Sequence, residues 1–171
     1  MRKSNSNHDL VIDSLQEALL QLMEVKKIDN ITISELCRKA GVSRISFYRN
    51  YDYISDILVK FLSADLDYWW RENSGERAED MSVFWKKLFT HLKQHEHVIK
   101  LIYHSNASFI LKDIVFSSCG PIYSQTDEEA YARAMLAGVI FGYTDEWIKR
   151  GMKSYPEYIS LSSILKILGQ K

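Results

Sequence analysis

This sequence predicts an all-α fold. Apolar residues recur at intervals of three and four along nearly all of its 171 positions, while alternating strand patterns are almost absent. One stretch near the N-terminus also strings together a helix cap, a glycine turn and a second helix cap. The length suits a small N-terminal domain fused to a larger helical one, divided here into residues 1–52 and 53–171. A hydrophobic content of 46% is enough for a real core, and two prolines with seven glycines argue against extended disorder.

The elements follow in order. Residues 1–7 are polar, and the first helix is expected from Asp9 to Lys27, with Val11, Leu15, Ala18, Leu19 and Leu22 as its buried stripe. Lys26 and Lys27 would close it favourably against the helix dipole. Thr32 followed by Glu35 is a capping-box pattern opening a second helix, whose stripe is Ile33, Leu36, Cys37 and Ala40. Gly41 stands where that helix must stop, because a left-handed stop residue is cheapest without a Cβ. Ser43 is a good N-cap for a third helix beginning at Arg44.

That third helix has two unlike sides. Phe47 and Tyr51 fall together and should pack inward, while Ile45, Ser46 and Arg49 lie opposite, flanked by Tyr48 and Asn50. A guanidinium, an amide and an exposed branched methyl suit the edge of a major groove: Arg can bridge guanine O6 and N7, Asn adenine N6 and N7, and an apolar group meets the thymine methyl. The plainer alternative is a helical hairpin with a solvated outer face. The glycine turn alone would favour it, but the complete cap, turn and cap reverses that preference.

At these residues the chain resembles the TetR/AcrR-type bacterial transcription regulators. The parts that carry the resemblance are Thr32, Ala40-Gly41-Val42-Ser43, Phe47-Tyr48, Tyr51 and Ile54-Ser55-Asp56-Ile57-Leu58. It covers residues 8–60 well and the remainder in outline. It implies a three-helix, helix-turn-helix DNA-binding domain followed by a helical effector-binding and dimerisation domain. It also implies that Thr32 and Tyr48 bind backbone phosphates. One departure stands out: the family usually carries a lysine near the start of the fourth helix, where this chain has Ile54.

Asp52 can cap the fourth helix, expected from about Tyr53 to Glu72, with Ile54, Ile57, Leu58, Phe61, Leu62, Leu66 and Trp69 repeating at three and four. Residues 73–80, NSGERAED, read as a linker. Further helices are expected over Met81–Gln94, Glu96–His104, Ser108–Ser118 and Asp127–Arg150, with Gly151 ending the last of these and Tyr155-Pro156 opening a final one.

Within Asp127–Arg150, Ala130, Ala134, Gly138 and Gly142 lie every fourth residue on one face. An interior glycine costs a helix about 1 kcal/mol relative to alanine, so two in one stripe need a compensating close approach. Leu136, Ile140, Tyr143 and Trp147 make an adjacent apolar ridge, and Leu161, Ile164, Leu165 and Leu168 share a face of the final helix. The resemblance implies that these two helices pair with their copies in a four-helix homodimer interface. Packing of the same stripe within one chain is the alternative.

Lys and Arg balance Asp and Glu at 22 each, so no large basic surface is available to grip nucleic acid indiscriminately. Cys37 and Cys119 show neither metal nor redox spacing. The N-terminus lacks the apolar run of a signal peptide and no stretch approaches a membrane span, which points to a cytoplasmic protein without membrane contact. No phosphate-binding glycine loop, nucleophile elbow or spaced carboxylate pair is present, so no enzymatic activity and no cofactor are expected. His91 and His95 are four apart on a helix, a spacing that can bind zinc. The third candidate, His97, falls on another face, so solvated or capping histidines and no metal are the expectation. Aromatic residues crowd the middle of the chain. Trp69, Trp85, Phe89, Tyr103, Phe109, Phe116 and Tyr123 are candidates for an effector pocket implied by the resemblance.

Together these features predict a homodimeric regulator of transcription, a repressor released by a small apolar or amphipathic effector. Its target would be a pseudo-palindromic double-stranded operator contacted through Thr32, Ser43, Arg44, Ile45, Ser46, Tyr48, Arg49 and Asn50. The alternatives are an activator of the same fold, and a helical ligand or metal sensor acting through protein contacts without DNA.

Overall fold

The computed structural model describes residues 6–73, 81–123 and 126–155, together with positions 166 and 169, and among these the protein is all-helical. The helices are α1 (Ser6–Met23), α2 (Ile33–Ala40), α3 (Arg44–Tyr48), α4 (Ser55–Asn73), α5 (Met81–Gln94), α6 (Glu96–His104), α7 (Phe109–Cys119) and α8 (Asp127–Lys149), with a 3-10 turn at Ile28–Asn30. The expected linker beyond Asn73 and the expected final helix, with Leu161, Ile164, Leu165 and Leu168, lie outside the described residues.

The head is built as its local chemistry dictates. Leu15, Ala18, Leu19 and Leu22 of α1 are buried as the stripe requires. The helix stops at Met23, short of the lysines expected to close it. Lys26 instead reaches Glu35 on α2 at 2.5 Å and holds that carboxyl below its usual range. Thr32 does cap α2, its hydroxyl accepting from the Glu35 N–H at 3.2 Å. The return arm expected from Glu35 is occupied by the lysine. Gly41 adopts φ 68°, ψ 24°, and the chain turns there directly into the Ser43 cap, whose hydroxyl accepts from the Ser46 N–H at 3.0 Å. Leu36, Cys37, Phe47 and Tyr51 close the head's interior.

The start of α4 differs from expectation. Asp52 does not cap it with its side chain; the Asp56 carboxylate accepts from the Asp52 N–H at 3.0 Å and the Tyr53 N–H at 2.8 Å. From there Ile57, Leu58, Leu62, Leu66 and Trp69 run inward. α4 packs chiefly on α7, and α7 on α8, while α1 touches both α4 and α6. The buried side chains form one continuous core from Leu15 to Met152, crossing the expected boundary at residues 52–53. A buried polar contact also spans it, the Ile28 N–H donating to the Ser105 hydroxyl at 3.3 Å.

α8 begins with a capping box that the sequence reading passed over: Thr126 Oγ1 accepts from the Glu129 N–H at 3.3 Å and Glu129 Oε2 accepts from the Thr126 N–H at 3.0 Å. It ends as expected at Gly151, φ 82°.

Candidate functional site

The outer face of α3 is open. Ile45 is 67% exposed and Tyr48 59% exposed, with Thr32, Ser43, Arg44 and Arg49 also exposed. Phe47 anchors the helix from below, fully buried, with the Tyr48 and Tyr51 rings 5.4 and 5.9 Å from its own. Among the described residues no acid pairs with Arg44 or Arg49. Two expected readers are otherwise engaged. Ser46 is half-buried, its hydroxyl 2.9 Å from that of Ser43. Asn50 is also half-buried and its amide donates to the Ser46 carbonyl at 2.8 Å, so it closes α3 rather than facing outward.

Lys60, which the sequence reading did not single out, bears on this end of the head. Its ammonium donates to the Asn50 carbonyl and lies 4.9 Å from the centre of the Tyr51 ring. Lys60 is the sole lysine of α4 and stands six positions beyond Ile54.

On α8 the two expected ridges part company. Gly138 and Gly142 are exposed, and a Cβ at either would meet nothing within 4 Å. Tyr131, Met135 and Val139 stand exposed beside them at 76%, 70% and 41%, whereas Ala130 and Ala134 are half-buried. The neighbouring ridge faces inward. Trp147, expected at a dimer interface, is 3% exposed, its ring 4.9 Å from that of Phe89, so this side chain belongs to the protomer's own core.

The expected effector pocket does not assemble from its candidates. Trp69, Trp85 and Phe89 are buried in the core, Trp85 stacking on Phe89 at 5.6 Å and on Tyr143 at 4.9 Å. Phe109 and Tyr123 point to solvent, and Phe116 is only half-buried. Of the seven, Tyr103 alone lines a cavity formed among the described residues of α4, α5, α6, α7 and α8. That cavity measures about 40 Å³, room for water but not for an organic effector in this conformation. Its walls are mostly aliphatic, with Tyr103, Thr144, Asp65, His91 and His95 as the polar members. The Tyr103 hydroxyl donates to Asp145 Oδ1 at 2.5 Å; burial first, then this carboxylate, pushes the phenol far above its usual range.

The histidines divide differently from the expected grouping. His97 is 3.4 Å from Glu24 and mostly exposed, away from the other two. His91 and His95 turn instead to Asp65 of α4, their Nε2 atoms 2.6 and 2.8 Å from the same carboxylate oxygen, Oδ2. Sequence spacing indicated the histidine pair but not the carboxylate, which lies 26 positions from His91.

No known family model and no curated protein matches this chain.

Proposed function

We propose that the protein is a homodimeric, sequence-specific DNA-binding transcriptional regulator of the TetR/AcrR type, acting in the cytoplasm as a repressor. The observation that carries this reading is the outer face of α3, where Arg44, Ile45, Tyr48 and Arg49 stand exposed on a helix anchored by Phe47. An exposed branched aliphatic side chain, and two guanidinium groups without an ion pair among the described residues, add little to the fold. These are the groups that read base edges and hold phosphates. Thr32 and Tyr48 would hold the backbone, while Arg44, Ile45 and Arg49 enter the groove and Ser43 sets the helix start. Dimerisation is supported by the exposed Tyr131, Met135 and Val139 with the open Gly138 and Gly142, a face on which a second α8 can approach closely. A two-fold pair of heads calls for half-sites about one helical turn, or a multiple, apart. An effector would act by preferring a body conformation with a larger cavity, since a ligand shifts a balance only through its differential affinity.

Selection from a random DNA pool, followed by salt-titrated binding to the enriched duplex and to DNA upstream of the protein's own gene, tests the reading. An enriched inverted repeat is expected, with affinity falling steeply as salt rises. Arg49→Ala should weaken binding by about 1–3 kcal/mol and relax preference at one base position if it reads a base. A pool that yields no enriched sequence overturns the proposal.

A further inference from the structure

The geometry points to a binding site for one divalent transition-metal ion, of the zinc class, formed by Asp65, His91 and His95. Three ligand atoms, from α4, α5 and the turn joining α5 to α6, converge within 4.8 Å of one another. His91 lies in the last turn of α5, His95 is the residue that precedes α6, and Asp65 faces both from the middle of α4. The residues one turn to either side of Asp65 fix the rings: Trp69 stacks on His91 at 5.8 Å and 26°, and Phe61 meets His95 edge-on at 5.7 Å and 84°. Each imidazole is thus held by an aromatic wall with Nε2 close to the carboxylate, the pre-organisation a ligand set requires.

An ordinary ion pair accounts poorly for this arrangement. Both histidines crowd one oxygen, and His91 Nε2 is buried without a hydrogen-bond partner even though Oδ2 is 2.6 Å away. The short approach lacks hydrogen-bond alignment. A cation between the three atoms would use the lone pairs directly. Tetrahedral ligands bonded at about 2.0–2.1 Å sit about 3.3 Å apart, so a small outward movement of the side chains admits the ion. Two imidazoles and one carboxylate are borderline donors that suit zinc, cobalt, nickel or ferrous iron, and not calcium or magnesium, which take oxygen. Three protein ligands leave a fourth position, and the adjoining water-sized cavity can supply it with a water molecule. Asp65, 31% exposed at its side chain, gives the ion a way in. None of the α3 residues takes part, so the site does not depend on DNA binding.

The experiment uses the full chain, free of any histidine tag and stripped with chelator, titrated with Zn²⁺ by calorimetry and with Co²⁺ by visible absorption. One equivalent per chain is expected, with Co²⁺ bands of a four-coordinate site and a Zn²⁺-dependent rise in Tm. Asp65→Asn, His91→Gln and His95→Gln should each lower affinity at least tenfold, and His97→Gln should leave it unchanged. Circular dichroism of each variant separates lost ligation from lost fold, and the Asp65→Asn substitution keeps the side chain's size. Absence of binding at millimolar Zn²⁺, or equal affinity in the His91→Gln/His95→Gln double variant, overturns the site.

Discussion

Gly41→Ala isolates a purely conformational cost at the turn on which the head depends. The residue sits at φ 68°, and a Cβ there would meet no atom within 4 Å, so steric clash contributes nothing. What remains is the left-handed backbone, about 1–2 kcal/mol for a residue bearing a Cβ. A Gly-to-Ala change elsewhere gains about 0.4–1 kcal/mol by restricting the unfolded chain, so the net loss should be about 0.5–1.5 kcal/mol. Gly41→Asn should lose less than Gly41→Ala, because asparagine tolerates this region better. The assay is urea unfolding followed by far-ultraviolet dichroism at fixed protein concentration, since a dimer's stability depends on concentration. The midpoint should fall in the order Gly, Asn, Ala with the slope unchanged. Gly120 supplies the opposite control. Its φ of −75° is ordinary, but a Cβ would come 2.3 Å from the Phe116 carbonyl oxygen, so the Gly120→Ala penalty is steric and asparagine gives no relief. If Gly41→Ala matches or exceeds wild-type stability, or Asn is the worse substitute, the left-handed turn is not what selects glycine.

Two further outcomes follow from the body. Burial raises the Asp145 carboxyl pKa, but its bonds to Lys149 and Tyr103 prevail, and the folded value lies below the ordinary one. Its contribution is therefore present above the unfolded carboxyl pKa and is lost as pH falls through the folded value. Tyr103→Phe should cost about 1.5–3 kcal/mol at pH 7, the range for hydrogen bonds to charged groups. Urea midpoints taken from pH 7 to about 3 should show that penalty shrinking once Asp145 protonates in both forms; a penalty independent of pH would assign it to packing alone. If the proposed homodimer pairs through α8, Val139→Arg places a charge in its interface, and sedimentation should show wild-type dimers replaced by monomers with helicity unchanged; a monomeric wild type, or a variant that still dimerises, refutes that interface.

Much of the helical framework was legible in the sequence because local chemistry decides it. Thr32, Ser43 and Gly41 act within four residues of themselves, and α5 and α6 have the expected bounds because their apolar spacing and flanking breaks are strong. What failed was long-range. The four-residue spacing groups His91 with His95, yet which residue of α4 meets the pair depends on packing, so Asp65 is not legible in the sequence. Trp147 was misjudged for a related reason: α8 carries two adjacent apolar stripes, and periodicity does not say which one a neighbouring helix covers. The capped ends at Asp52 and Glu35 went astray because a second suitor, Asp56 or Lys26, lay within reach. The pocket candidates scattered because an aromatic side chain fills a core as readily as it walls a cavity.

The Ile28–Ser105 contact constrains how the head can travel. It joins the two halves of the molecule at a dry spot, where parting the pair without replacement costs about 1–3 kcal/mol for the stranded group. The bond ties the 3-10 turn before α2 to the residue that closes α6, so moving that turn away from α6 must first break it.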